Sequence, residues 1–203
     1  MIKILLKTKL FFVILTIGSV LKADPYSLAN ISQYLTNLKF LKADFLQTSA
    51  DGAASSGAIL IKRPGRMRFE YYKPDKTLVL ISSGALAIFD PKGDEEPITY
   101  PIKNNPISLV LTGEVDLLNS GIVENYEKSI EEAVLTIRDP KRPERGSVEL
   151  VFTGAKPELK QFSIKNENGS YTSILLNDIE YPKKINETLF SISLEINKRK
   201  NKD

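Results

Sequence analysis

At 203 residues with 42% apolar side chains, the chain is long enough to bury a core unaided. It has no cysteine and no histidine, which removes disulfides, a lipid anchor on a thiol, thiolate chemistry and the usual base for a serine nucleophile. The formal charge of +3 comes mostly from the two ends. Lys3, Lys7 and Lys9 precede an apolar run, Leu10–Leu21, that is too short to span a bilayer comfortably. This pattern predicts an export signal over residues 1–23, cleaved after Ala23. Loss of its four lysines would bring the charge from +3 to −1. The remaining domain, residues 24–203, then has no surplus for neutralising phosphates, and no nucleic-acid partner is expected.

Apolar residues at three- and four-residue steps predict a helix over Tyr26–Leu41, capped by Ser27. A first strand, Lys42–Ser49, and a small turn, Ala50–Ser56, follow. From Gly57 to Asp90 the chain reads as an antiparallel meander: Ala58–Lys62, then Met67, Phe69 and Tyr71 in alternation with charged residues, then Thr77–Ile81 and Ala85–Phe89. Leu78–Ile81 is apolar on both faces, so an element besides the core is expected to cover its second side. Ile59, Ile61 and Arg63 share one face, since side chains two apart on a strand point the same way. The pattern leaves two roles for Arg63: a strand-end side chain with its head in water, or a guanidinium at the rim of an apolar cavity.

Lys92–Pro101 reads as a polar turn; its Asp94, Glu95 and Glu96 form the densest acidic group and fit a solvated loop. Asn105 as cap, Pro106 at the first helical position and Gly113 beyond the end mark a short helix carrying Ile107, Leu109, Val110 and Leu111. Two turns cannot hold themselves in water, so it must dock, either as an ordinary core helix or as a movable lid. A second short piece, Glu114–Asn119, comes next. Strands are then expected near Ile122–Ser129, Ala133–Arg138, Ser147–Thr153, Leu159–Lys165, Tyr171–Leu176 and Phe190–Ile196, with Asn168-Gly169 as a hairpin turn and residues 198–203 as a disordered basic tail. The loop from Asp139 to Gly146 is too rich in proline and charge for a central strand. No phosphate-binding or dinucleotide motif occurs, and nothing singles out a carboxylate pair or a metal site. No catalytic residue, metal or cofactor is expected.

An ordered set of residues resembles the LolA family of periplasmic outer-membrane lipoprotein carriers. It consists of Phe45 and Gln47, Gly57, Lys62-Arg63-Pro64, Met67 to Tyr71 with Pro74, Ser83-Gly84, Phe89-Asp90-Pro91, Leu159–Ile164 and Ile185 to Phe190. Phe69 stands where many relatives carry tryptophan. The resemblance implies a mainly β fold with short helices: one strongly curved antiparallel sheet forming a half-open, unclosed β-barrel under an α-helical lid. It implies a periplasmic monomer that takes acylated lipoproteins from an inner-membrane lipoprotein-releasing ABC transporter to an outer-membrane receptor, or to the outer membrane itself.

On this resemblance the cargo cavity would be lined by Ile59, Ile61, Met67, Phe69, Tyr71, Leu78 and Leu80, and the lid would comprise Ile107, Leu109, Val110 and Leu111. Arg63 would be its latch, contacting lid carbonyls when closed. The physical demand is plain: an acyl chain of about sixteen carbons resists water by roughly 13 kcal/mol. A carrier of another lipid, such as a phospholipid or glycolipid, on the same barrel is the alternative, and an interaction domain with an apolar face is a third reading.

Overall fold

The computed structural model describes residues 24–93 and 96–201. The expected export signal, Asp94 and Glu95 of the acidic turn, and the last two residues lie outside the described residues. Among those described, eleven strands form one sheet in which every neighbouring pair is antiparallel. Chain order is β1 Phe40–Ser49, β2 Ala54–Lys62, β3 Arg66–Tyr71, β4 Leu78–Ser82, β5 Ala85–Phe89, β6 Ile98–Pro101, β7 Val123–Lys128, β8 Glu132–Arg138, β9 Gly146–Thr153, β10 Glu158–Asn166 and β11 Tyr171–Glu180. The order across the sheet, β6-β5-β4-β3-β2-β1-β11-β10-β9-β8-β7, leaves β6 and β7 as unpaired edges, so the barrel is not closed. The sheet is nevertheless curled. Met67 of β3 and Leu150 of β9 line one small cavity although four strands lie between theirs in the sheet order.

Alternation decides which face each strand buries. Leu41, Ala43 and Phe45 of β1, Ile59 and Ile61 of β2, and Met67 and Phe69 of β3 all point into the main core. They meet Ala133, Leu135 and Ile137 of β8, Val148, Leu150 and Phe152 of β9, and Phe162 of β10. Gly57 lies opposite both Phe45 and Tyr71 in the register. A Cβ there would stand 2.3 Å from the Glu70 carbonyl oxygen and 2.7 Å from the Phe45 ring. Its hydrogen lets the Phe45 ring lie across the strand and meet Phe69 and Tyr71 edge-on, at centroid distances of 5.6 and 5.1 Å. Gly57→Ala is therefore expected to cost about 3 kcal/mol, the upper end for overpacking. A urea midpoint that falls with an unchanged slope would show it.

The helix α1, Leu28–Asn37, plugs the concave side with Ile31 and Leu35 buried, and the Ser27 side chain accepts a hydrogen bond from the Asn30 amide at 3.3 Å. It stops short of the expected Leu41 because Phe40 and Leu41 pair with Lys62 and Ile61 in the sheet. Strand β2 begins at Ala54, inside the expected turn, and Ile98–Pro101 forms an edge strand where a turn was expected. Asn105 caps as its position implies, accepting from the Ile107 amide at 3.0 Å, but Pro106–Leu109 is a single 3-10 turn rather than two α-helical turns. Glu114–Asn119 is irregular chain ending in a turn, pinned on α1: the Thr36 hydroxyl accepts from the Val115 amide and the Ser32 hydroxyl from the Leu117 amide, each at 3.3 Å.

The convex face of β4 and β5 is covered, as the doubly apolar Leu78–Ile81 run requires. The cover is helix α2, Ile192–Lys200, which corrects the strand expected over Phe190–Ile196. Ile192 and Ile196, four apart, pack on Leu78, Leu80, Ala87 and Phe89, and the Arg199 guanidinium sits 4.8 Å from the Phe89 ring centroid. Lys198, Arg199 and Lys200 form the last helical turn, where positive charge suits the helix dipole, so this part of the chain is not the disordered tail expected over 198–203.

Candidate functional site

A small apolar cavity lies between the sheet, α1 and the segment that follows β6. Its walls are Leu35 of α1, Leu38 just past its end, Ile61, Arg63, Met67, Ile107, Val110, Leu111, Leu150, Leu159 and Phe162, and its volume is about 30 Å³. That is room for about one water molecule. An acyl chain can enter only if the wall moves. Larger hollows are open grooves on the surface, the one beside α1 measuring about 820 Å³ and bearing Asn30, Gln33, Tyr34, Asn37 and Tyr181.

The wall most suited to move is the covering segment. Ile107, Val110 and Leu111 are buried, and the 3-10 turn packs on β8, β9 and β10. Yet one short turn with few backbone bonds of its own depends on those apolar contacts for its place. Over the cavity itself its polar fastenings are the Gly65 amide, which donates to the Leu111 carbonyl at 2.8 Å, and one Arg63 Nη2–H, which donates to the Thr112 carbonyl. Its two ends are anchored separately: the Ile102 amide donates to the Gly84 carbonyl at 3.0 Å, the Arg145 guanidinium donates to the Lys103 carbonyl at 2.7 Å, and the Val115 and Leu117 amides donate to the Thr36 and Ser32 hydroxyls of α1.

Arg63 is the chemical exception in this apolar wall. It is only 8% exposed, and its Nε and Nη1 have no hydrogen-bond partner. Among the described residues no carboxylate pairs with it. Burial pulls its pKa down to about 10, with the nearby Tyr34 phenol opposing, so the group stays cationic at neutral pH. Burial likewise pushes the Tyr34 phenol up, although its oxygen meets the Tyr181 hydroxyl at 3.1 Å and accepts from the Leu159 amide at 3.2 Å.

The residues singled out in the sequence divide. Ile61, Met67, Arg63, Ile107, Val110 and Leu111 meet around the cavity. Ile59 and Phe69 lie one step farther along their strands in the same core, and Leu109 is half-buried at the outer edge of the covering segment. Tyr71 is half-buried, donates to Gln47 Oε1 at 2.6 Å, and has its pKa raised to about 12 by burial.

Leu78 and Leu80 are on the other face, under α2. Met67 and Phe69 pair with Ile81 and Val79, and a pair directly opposite shares a face, so Val79 and Ile81 are the inward residues of β4. Leu35, Leu38, Leu150, Leu159 and Phe162 were not anticipated as lining, although Leu150 and Phe162 show the inward alternation of their strands. Among the described residues no group of three or more acidic side chains could hold a metal ion, and no helix is long and apolar enough to cross a membrane.

The model of the outer membrane lipoprotein carrier protein LolA matches residues 36–193. The chain belongs to the LolA family. Members of this family are carriers rather than enzymes. Among relatives named outer-membrane lipoprotein carrier protein, that of Methylococcus capsulatus is 24% identical over 187 residues, covering 87% of this chain and 88% of the relative. That of Coxiella burnetii is 25% identical over 185 residues, covering 86% of each. Among solved structures, a LolA superfamily protein from Nitrosomonas europaea matches 79% of this chain and 97% of its own at 11% identity, with a TM-score of 0.42.

Proposed function

We propose that this LolA-family protein carries acylated lipoproteins through the periplasm. It would receive them from an inner-membrane lipoprotein-releasing ABC transporter and surrender them to an outer-membrane receptor or to the outer membrane itself. In this reading residues 1–23 are the export signal and residues 24–203 one carrier domain. Residues Ile102–Leu117 are the lid, Arg63 its latch, and the inner face of β1–β3 and β8–β10 the surface that meets acyl chains.

The observation that carries the proposal is a buried cation in an apolar cavity wall, held by one carbonyl of the covering segment. Closing the lid buries Ile107, Val110 and Leu111, which favours the closed form. It also keeps a guanidinium out of water without a counter-charge, and a buried ion carries a penalty of several kcal/mol. The two terms oppose one another, so the closed state is stable without being deep. Each acyl methylene buried contributes about 0.8 kcal/mol, enough for a long chain to displace the lid. When a membrane or receptor offers the chain another apolar site, the lid falls back on Arg63. No nucleotide is needed at the carrier itself.

Inner-membrane vesicles containing the transporter and a triacylated lipoprotein provide the test. With ATP, the protein is expected to bring the lipoprotein into the soluble fraction as a one-to-one complex, and a lipoprotein lacking its acylated cysteine should give none. Vesicles that keep their lipoprotein whether or not the protein is added would sink the proposal.

A further inference from the structure

Arg63 carries more hydrogen-bonding capacity than the closed lid uses. A guanidinium has five N–H donors. Here one is placed on the Thr112 carbonyl, while Nε and Nη1 are buried with no partner in a cavity otherwise lined by apolar side chains. Lifting the lid removes the Thr112 carbonyl as well. Cargo made only of hydrocarbon would leave the whole cation unsatisfied in a dry site, which is costly. Arg63 also has a fixed place along the path of a chain. It ends the inward row Ile59–Ile61–Arg63 where β2 reaches the rim, so chain ends lying on Ile59 leave the head of the amphiphile beside the guanidinium.

We propose that Arg63 hydrogen-bonds the ester and amide carbonyls that join acyl chains to their head group, so the cavity selects carbonyl-linked acyl groups over plain alkyl chains. This rests on the carrier reading above. The partner Arg63 already holds argues for neutral carbonyls rather than an anion. Replacing the Thr112 carbonyl with cargo carbonyls trades like for like, so loading and release stay close in free energy. A carboxylate or phosphate on an unpaired guanidinium in a dry cavity would be held far more strongly, fork to fork. Such a site would trap its ligand.

Two matched probes separate the possibilities: a dipalmitoyl-glyceryl-cysteinyl peptide and the same peptide carrying two hexadecyl ether chains. Each competes with an apolar fluorophore bound to the intact protein. The diester is expected to bind about tenfold tighter than the diether, a difference of about 1.4 kcal/mol. In Arg63→Met the ratio should fall to about one, with circular dichroism and fluorophore binding reporting that the variant is folded. Equal affinities on the unaltered protein, or a preference that survives in Arg63→Met, would overturn this inference and leave the carrier reading standing. Palmitate anion outcompeting the diester would overturn it in favour of an anion site. Failure of both peptides to displace the fluorophore would overturn the inference and the carrier reading together.

Discussion

Replacing Arg63 by leucine is expected to leave a folded protein that accepts acylated cargo and releases it about tenfold more slowly, or worse. In the closed form the guanidinium holds Thr112 while two of its nitrogens remain buried and unpaired. Removing a charge in that position in favour of an apolar side chain is commonly neutral or stabilising, by about 1–4 kcal/mol. Leucine therefore should not unfold the sheet. In the loaded form it adds apolar surface for the acyl chain and takes away the group that draws the lid back. Hydrocarbon contact alone then holds the cargo, so slower release is expected together with an ester-over-ether ratio that falls to about one. Transfer from loaded carrier to outer-membrane vesicles is the readout. Delivery at the unaltered rate would show that the Thr112 contact does not govern release.

Removing the apolar side chains of the lid should act in the opposite sense. Ile107 and Leu111 are buried against the sheet and the cavity, and truncating such residues to alanine costs about 2–5 kcal/mol each. Most of that cost falls on the lid, because the Ile102–Leu117 segment supplies no strand to the sheet. The double variant Ile107→Ala, Leu111→Ala is expected to populate the open form and to bind an apolar fluorophore at least about tenfold more, each tenfold being 1.4 kcal/mol of opening. It should remain folded by far-ultraviolet circular dichroism. A fall in global stability with no gain in fluorophore binding would mean that the segment is fixed core, not a lid.

Particular residues show how much of this was legible beforehand. Alternation in β3 placed Met67 and Phe69 on one face because Arg66, Arg68 and Glu70 mark the other, while in β2 only the two-residue period of a strand put Ile59 and Ile61 together, since Leu60 is apolar too. The Asn105-Pro106 step announced a capped turn because both residues act locally. Strand β4 carried no such marker: Leu-Val-Leu-Ile is apolar in either phase, and only its pairing with β3 selects Val79 and Ile81 as inward. Its doubled apolarity did signal a cover. The identity of that cover was hidden, since Ile192, Leu194 and Ile196 fit a period of two as well as a helix. In the folded chain Ile192 and Ile196 face the sheet and Leu194 is 49% exposed. Arg63 could be placed at a strand end, but its partner Thr112 lies 49 residues away and is a backbone carbonyl, which leaves no trace in side-chain pattern. The walls contributed by β9 and β10 were missed for a similar reason, because which strands face one another across a curled sheet is a property of its closure.

The central claim is that the cavity shelters acyl chains of a lipoprotein, and native mass spectrometry of the protein released from its own periplasm without detergent tests it most directly. The account predicts a population carrying one lipoprotein per protein, with the added mass including the acyl groups and lost when the cargo's acylated cysteine is replaced. A protein that instead carries only free phospholipid or glycolipid, or that is empty and takes up no acylated peptide when one is supplied, would contradict it.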